Sequence, residues 1–330
     1  MKEFTSLLHA IKIDSRVIIP GNLFLAPMAG FTDPAFRHIC TAFGSDLCFT
    51  EMVSSEALSR KSLKTKKILC RAENEENYAV QLFSSSWESA VISLKDIIGL
   101  KPLLIDINCG CPVPKIIKSG AGSALMKNPD KIGEIVKALS EATDIPITVK
   151  LRSGWDSETI TFMKAAESAV KNGAKMLTLH PRTKTQGYSG KSDWSKIKEL
   201  KNSIDVPVIG SGDLFEPQDC LNMIKETGCD GVMIARGAVG RPQIFKEIKF
   251  LAKKGVLPEI SFEEKISAAL LHLDLAEKYI GTKIAVKEMK KHLCSYIKGI
   301  KGSAAIRNRI VHCNSIDEYK AVLNEVVDRD

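Results

Sequence analysis

Eight short runs rich in β-branched and other apolar residues recur along the chain, and they constrain its fold more than any other feature. The segments between them have helical periodicity or begin with a polar residue before Pro, which is typical of a helix N-terminus. Such alternation predicts parallel βαβ units, and eight strands is the number that closes a (β/α)8 TIM barrel. A doubly wound open sheet is the alternative, but no GxGxxG motif follows the first run. The predicted strands are 23–27, 47–50, 79–83, 103–108, 147–151, 176–180, 206–210 and 231–235.

The strand pattern stops after residue 250, and amphipathic helical segments follow. We therefore predict two domains, a barrel over residues 1–255 and a small all-helical domain over residues 256–330. Helices are predicted inside the barrel at 33–43, 128–139, 158–171, 192–200 and 216–225, and after it at 261–280, 284–298 and 315–327.

Positive charge is concentrated in the predicted helical domain. The whole chain carries +8, from 47 basic and 39 acidic residues. Residues 283–309 hold eight Lys or Arg against one acid, Glu288, so this segment alone carries +7. Such clustering indicates an anionic polymer as partner, although a solvated helix face is the plain alternative. A second basic run, residues 60–71, has six Lys or Arg and no acid.

Other classes of protein are excluded by simple patterns. No window reaches 18 apolar residues, so we expect no membrane span. The first 20 residues lack the order of a signal peptide. The nine cysteines are odd in number and irregularly spaced, which indicates reduced thiols in a cytoplasmic protein. We expect no metal site, because Cys109 and Cys111 have no further ligand at a suitable spacing.

Small and polar residues follow almost every predicted strand, at the end where a barrel places its functional groups. Gly212, Arg236 and Gly237 follow the last two strands, where many barrels bind phosphate. Backbone N–H groups approach a phosphate only beside small side chains, and an arginine adds a bidentate contact. Lys150 could stabilise negative charge on a cofactor ring. Each residue also has a structural alternative, as a turn glycine or a lysine at the rim.

Cys111 is the most informative candidate. Glycine and proline residues on both sides fix its loop, so the thiol is held in place. A thiol with a pKa of about 8.5 is mostly protonated at neutral pH and can act as a general acid.

Six motifs run in order through most of the chain. They are Ala26-Pro-Met-Ala-Gly-Phe-Thr-Asp33, Ile107-Asn-Cys-Gly-Cys-Pro112, Gly120-Ala-Gly-Ser-Ala-Leu-Met126, Val149-Lys-Leu-Arg152, His180-Pro-Arg-Thr183 and Gly231-Val-Met-Ile-Ala-Arg-Gly237. These motifs resemble the tRNA-dihydrouridine synthases, and the Cys-Pro-x-Pro-Lys form around Cys111 is most similar to the bacterial B-type group.

The resemblance implies a flavoenzyme that reduces the C5=C6 bond of selected uridines in tRNA. FMN would deliver hydride, NADPH or NADH would be the reductant, and the Cys111 thiol would protonate C5. It also implies a cofactor site and an RNA surface. The cofactor residues would be Pro27, Met28 and Ala29 along the ring, Gln81, Asn108, Lys150 and His180 at its edge, and Ser211, Gly212, Asp213, Arg236 and Gly237 at the phosphate. The substrate residues would be Arg182, Lys287, Lys290, Lys291, Lys298 and Arg307.

One departure from the family pattern is Ser211, where the family usually has Asn before Gly-Asp. Three other functions stay open at this point: an FMN-dependent barrel oxidoreductase acting on a small molecule, a non-catalytic RNA-binding barrel, and a lyase using Lys150. We expect a monomer.

Overall fold

A closed parallel barrel forms the larger part of the computed structural model, which describes residues 5–327 apart from the side chains of residues 5, 64 and 327. The last barrel strand pairs with the first, which confirms the predicted (β/α)8 barrel. The strands are β1 (Ile11–Lys12), β2 (Ile18–Ile19), β3 (Leu23–Leu25), β4 (Leu47–Phe49), β5 (Val53–Ser54), β6 (Tyr78–Phe83), β7 (Leu104–Cys109), β8 (Ile147–Gly154), β9 (Met176–Thr183), β10 (Val208–Ser211) and β11 (Gly231–Ile234). The barrel comprises all of these except β1, β2 and β5.

The interior of the barrel changes from apolar to polar along its axis. Because strand side chains alternate between faces, every second residue points inward. The inward residues nearest the strand N-termini, such as Phe24, Leu47 and Leu104, form one buried apolar cluster, which the β1–β2 hairpin extends with Ile11 and Ile19. On β6 to β10, polar inward residues follow toward the C-termini: Gln81, Asp106, Asn108, Thr148, Lys150, Thr178, His180 and Ser211.

Helices surround the barrel and pack on its outward apolar residues. Several begin with the predicted capping signal; Asp33 accepts a hydrogen bond from the Phe36 N–H, with Pro34 in the first turn. The α-helices up to residue 254 are α1 (Pro34–Ala42), α2 (Ser55–Ser59), α3 (Leu63–Ile68), α4 (Trp87–Ile97), α5 (Pro114–Lys118), α6 (Pro129–Ala142), α7 (Phe162–Lys171), α8 (Ser195–Ser203), α9 (Pro217–Thr227) and α10 (Ile244–Lys254).

Two predicted helix starts are wrong. The helix expected from residue 158 begins at Phe162, because Ile160 forms an antiparallel bridge with Gly154 instead. The helix expected from residue 192 begins at Ser195, since the Ser192 N–H donates to the Asp213 carboxylate. Both segments follow a barrel strand and belong to the loops at its C-terminal end.

The helices after the barrel pack on its first helix. Gly255 ends α10 in a left-handed conformation, and α11 begins after Ser261. Helix α11 lies against α1, with the rings of His272 and Phe36 stacked at 5.4 Å between centroids. The helix at 303–312 was not predicted. These helices are α11 (Phe262–Ile280), α12 (Thr282–Tyr296), α13 (Ser303–His312) and α14 (Ile316–Val327). Between residues 5 and 327, we find no helix that is both long and apolar enough to span a bilayer.

Candidate active site

A cavity lies at the C-terminal ends of the barrel strands and has two adjoining parts. The larger part, about 450 Å³, includes Cys111 in its wall, and the smaller part, about 110 Å³, includes Gly212. Six residues line both parts, so the two form one cleft. These shared residues are Pro27, Met28, Lys150, His180, Tyr188 and Arg236.

Two backbone N–H groups at this end of the cleft have no protein acceptor within residues 5–327. They belong to Asp213, which lines the smaller part, and to Gly237, which lines a neighbouring cavity. Gly212 has φ of +113°, and a Cβ there would lie 2.3 Å from Ser192 Oγ. A Cβ on Gly237 would lie 2.2 Å from the Leu214 carbonyl oxygen. Only glycine fits at these two positions, and the arrangement suits an anion.

Charged side chains complete this end of the cleft. The Arg236 guanidinium lies 4.6 Å from the Tyr188 ring centroid and 5.1 Å from that of Phe215. The two aromatic rings therefore hold it at the cavity wall. Ser211 Oγ donates to the Met233 carbonyl oxygen at 2.9 Å, so the hydroxyl that replaces the family's usual amide links β10 to β11.

Lys150 lies between the two parts of the cleft. Burial and the nearby Arg152 lower the pKa of Lys150 to about 8, against the opposing charge of Asp106. Its ammonium group makes no hydrogen bond within the part of the chain that the structure describes. A lysine in this state is available to a negatively charged ligand.

His180 is neutral. Burial, together with Lys150 and neighbouring arginines, lowers the pKa of His180 to about 2. Its Nε2 lies 3.3 Å from Arg182 Nη1, which can only donate, so Nε2 accepts and Nδ1 carries the proton.

Cys111 is held by hydrogen bonds to its own backbone. Its N–H donates to Asn108 Oδ1 at 2.8 Å, and its carbonyl oxygen accepts from Ser123 Oγ at 2.8 Å. Burial raises the pKa of the Cys111 thiol, while the Val113 backbone and the charges of Arg152 and Lys150 oppose that shift. The thiol is therefore protonated at neutral pH. Cys109, by contrast, belongs to the outer apolar core.

Three predicted site residues do not line the cleft. Gln81 lies behind Asn108, whose Nδ2 donates to Gln81 Oε1 at 2.8 Å. Gly237 lines a neighbouring cavity. Arg182 is 1% exposed, and its guanidinium donates to the carbonyl oxygens of Ser189 and Gly190 and to Asp213. Protein acceptors therefore occupy the Arg182 guanidinium, and its contact with the substrate stays a prediction.

Two residues that sequence reasoning missed shape the cleft. Arg152 donates to the carbonyl oxygens of Gly110, at 2.7 Å, and Gly187, at 2.9 Å, so it ties the Cys111 loop to the loop after β9. That second loop carries Tyr188, which is 59% exposed and lines both parts of the cleft. Arg152 follows Lys150 by two residues on β8, so period-two alternation could have identified it. Tyr188 lies in a loop without periodicity and gave no signal.

The basic residues of the C-terminal helices differ in their availability. Lys291 pairs with Glu288 and lies 4.9 Å from the centroid of Phe31, beside the larger cavity. Lys298 is exposed and lines the cavity that neighbours Arg236. Lys290 donates to the Val311 carbonyl oxygen, and Arg309 pairs with Glu325. Lys287 is exposed and Arg307 is half-buried.

A closed parallel barrel with a polar cleft at the C-terminal ends of its strands defines an α/β-barrel enzyme. The family model for dihydrouridine synthase matches residues 24–329. The chain therefore belongs to the dihydrouridine synthase family, and the resemblance seen in its motifs is confirmed.

Relatives in that family match the chain along almost its whole length. A probable tRNA-dihydrouridine synthase of Treponema pallidum is 42% identical over 330 residues, which is 97% of each chain. The tRNA-dihydrouridine synthase B of Vibrio vulnificus is 35% identical and covers 91% of this chain and 92% of its own.

Solved structures at much lower identity share the fold. A morphinone reductase in complex with tetrahydroNAD has a TM-score of 0.56 at 11% identity, over 78% of this chain and 93% of its own. An old yellow enzyme homologue from Zymomonas mobilis has a TM-score of 0.54 at 10% identity, over 78% and 96% of the two chains.

Proposed function

We propose that this protein reduces the C5=C6 bond of selected uridines in tRNA, with FMN as its flavin and NADPH as the reductant. The observation that carries the proposal is the cleft itself. One cavity contains the protonated thiol of Cys111, the anion site around Gly212 and the ammonium group of Lys150. The family match and the names of its relatives supply the chemistry that such a cleft would serve.

The residues present fit FMN. The N–H groups of Asp213 and Gly237, with Arg236, would bind the phosphate beside Gly212. Pro27 and Met28 line both parts of the cleft and Ala29 the larger one, so they would lie along the ring. When bound and reduced by NADPH, FMN would supply the hydride that the uracil ring accepts at C6. Lys150 would stabilise negative charge on the ring, which is the reason for an ammonium group at this place.

Cys111 would provide the proton. Its Sγ holds a proton at neutral pH and lies in the wall of the larger cavity, where it would transfer that proton to C5. Asn108 and Ser123 keep the loop in place, so the thiol needs little reorganisation. A target uridine would have to leave its base stack to reach this depth.

The tRNA backbone would lie on the basic face of the C-terminal helices. Lys291 lies beside the larger part of the cleft and Lys298 lines the neighbouring cavity, while Lys287 is exposed on α12. Lysines beside the site supply phosphate contacts without reading sequence. We further propose that the protein acts in the cytoplasm. We also propose that it is a monomer, and light scattering of the purified protein would test its oligomeric state.

The deciding experiment compares Cys111→Ala with the wild type and with Cys70→Ala, a control at an exposed cysteine. Each protein is given unmodified tRNA and NADPH, and dihydrouridine is measured by mass spectrometry. We expect Cys111→Ala to lose roughly 10²- to 10⁴-fold in rate, as for loss of a general acid, with its flavin content unchanged.

Two results would contradict this proposal. Undiminished product from Cys111→Ala would remove the thiol from the reaction. A wild-type protein that reduces free activated alkenes but leaves tRNA uridines untouched would favour a small-molecule reductase. Typing the flavin released on denaturation tests FMN separately.

A further inference from the structure

A chain of hydrogen bonds runs from a buried carboxylate inside the barrel to the loop that carries Cys111. Asp106 is fully buried on β7, and its Oδ2 accepts from Gln81 Nε2 at 2.7 Å. Gln81 Oε1 accepts from Asn108 Nδ2 at 2.8 Å. Asn108 Oδ1 in turn accepts from the N–H groups of Cys111, at 2.8 Å, and Gly110, at 3.1 Å.

The two ends of this series of hydrogen bonds, the Asp106 carboxylate and the Cys111 N–H, determine the orientation of the Gln81 and Asn108 amides. An ionised carboxylate only accepts hydrogen bonds, and a backbone N–H only donates. Reversing the amide of Gln81 or Asn108 would therefore bring two donors or two acceptors together in a buried place, which is unfavourable. Each amide has one permitted orientation as long as both ends are present.

We propose that Asp106 is a positioning residue for Cys111. Its carboxylate orients the amides of Gln81 and Asn108, and these amides hold the Cys111 loop where the thiol can contact the substrate. The proposal rests on the proposed function, in which Cys111 gives up the proton. Asp106 does not line the cleft, so it would reach the thiol through these two amides. Its charge also favours the ammonium form of Lys150, which is why the test below separates charge from hydrogen bonding.

Stability does not explain a carboxylate at this place. Burial raises the pKa of Asp106 to about 6, although hydrogen bonds from Gln81 and Thr148 oppose that rise. The barrel layer below it is filled by apolar side chains such as Leu104 and Met176. An apolar residue would therefore be the simpler choice for packing alone.

The test separates the acceptor role from the charge. Asp106→Leu removes the acceptor, whereas Asp106→Asn keeps a carbonyl for Gln81 while the Thr148 hydroxyl reverses to accept. We expect Asp106→Leu to lower kcat roughly 10²-fold, the effect of a misplaced reacting group, with KM and flavin content near wild type. Asp106→Asn is expected to recover most of that loss. Thr148→Val, which removes the other hydrogen bond to Asp106, is the control.

A second readout does not depend on turnover. Gln81→Met breaks the next link, so it is expected to lower kcat like Asp106→Leu, and the double variant to be no slower than either single one. Alkylation of Cys111 by iodoacetamide, followed by peptide mass spectrometry, is expected to become several-fold faster in both variants and to stay unchanged in Thr148→Val.

The outcomes are distinct. Wild-type kcat together with unchanged alkylation in Asp106→Leu would overturn the proposal, as would additive effects in the double variant. If Asp106→Leu does not fold, Gln81→Met gives the same two readouts. A wild-type protein that makes no dihydrouridine, yet shows the expected alkylation pattern, would refute the proposed function and leave the positioning role standing.

Discussion

The two sides of the cleft satisfy their polar groups in opposite ways. On the side of Cys111, the amides of Gln81 and Asn108 and the guanidinium of Arg152 all bind protein partners. On the side of Gly212 and Gly237, the backbone N–H groups of Asp213 and Gly237 lack acceptors within residues 5–327.

The difference indicates two tasks. A group that must hold one reacting atom in place benefits from partners inside the protein, because the geometry is then set before the substrate arrives. A group that binds an anion must keep its donors free until the ligand comes. Changes on the first side are therefore expected to lower the reaction rate, and changes on the second side to lower cofactor affinity.

Among the changes that compare the two sides, the largest effect is expected from Gly212→Ala. Its Cβ would meet Ser192 and His180, and φ of +113° disfavours an L-residue. Backbone strain of about 1–3 kcal/mol together with the displaced anion site is expected to weaken FMN binding roughly 10²-fold, as measured by fluorescence titration of the apoprotein. Gly228→Ala, with φ of +70° and nothing within 4 Å of the added Cβ, is the control for strain alone. Equal losses of FMN affinity in both variants would contradict the assignment of the phosphate site to Gly212.

Lys150 lies between the two sides. Its effect on the stability of the apoprotein shows whether its positive charge stabilises the fold or is kept for a ligand. Its folded pKa of about 8 lies below the usual lysine value of 10.5, so between these pH values the unfolded chain binds more protons. The stability of the apoprotein is therefore expected to rise with pH, by up to about 2 kcal/mol from pH 8 to pH 10. Lys150→Met is expected to lack this contribution in urea unfolding at both pH values. Identical pH dependence in the two proteins would mean that the lysine is not disfavoured by the fold.

A glycine on the thiol side gives the matching prediction. Gly122 has φ of +61°, and its added Cβ would lie 2.8 Å from the Cys111 carbonyl oxygen. Gly122→Ala is therefore expected to shift the thiol and lower kcat roughly tenfold, while FMN affinity stays near wild type. If Gly122→Ala lost FMN affinity and kept its kcat, the assignment of the thiol side to catalysis and the other side to cofactor binding would be wrong.

The smallest effect is expected on the RNA surface outside the cleft. Lys298→Glu is expected to weaken tRNA binding a few-fold and to reduce the slope of log affinity against log salt by about one. FMN binding should not change. Lys137→Glu on α6, where the side chain is 62% exposed, is the matched control. Equal effects of the two changes on tRNA affinity would mean that the RNA binds elsewhere, and would favour the basic run at residues 60–71.

Most of the barrel could be predicted from sequence because its signals are local. All eight strands were found, since an alternating or continuous apolar run is a property of neighbouring residues. Two helix starts were wrong. Ile160 pairs with the end of β8, and the Ser192 N–H donates to the distant Asp213.

Local sequence patterns were enough to predict the eight barrel strands, the glycines after β10 and β11 and the thiol after β7, because each depends on residues within a few positions of one another. Which of the predicted residues reach the cleft depends on contacts between distant parts of the chain. Gln81 pairs with Asp106 across β6 and β7, and Arg182 is enclosed by the loop that carries Ser189 and Gly190. The stagger between strands and the path of that loop set these contacts, and no local pattern encodes either of them.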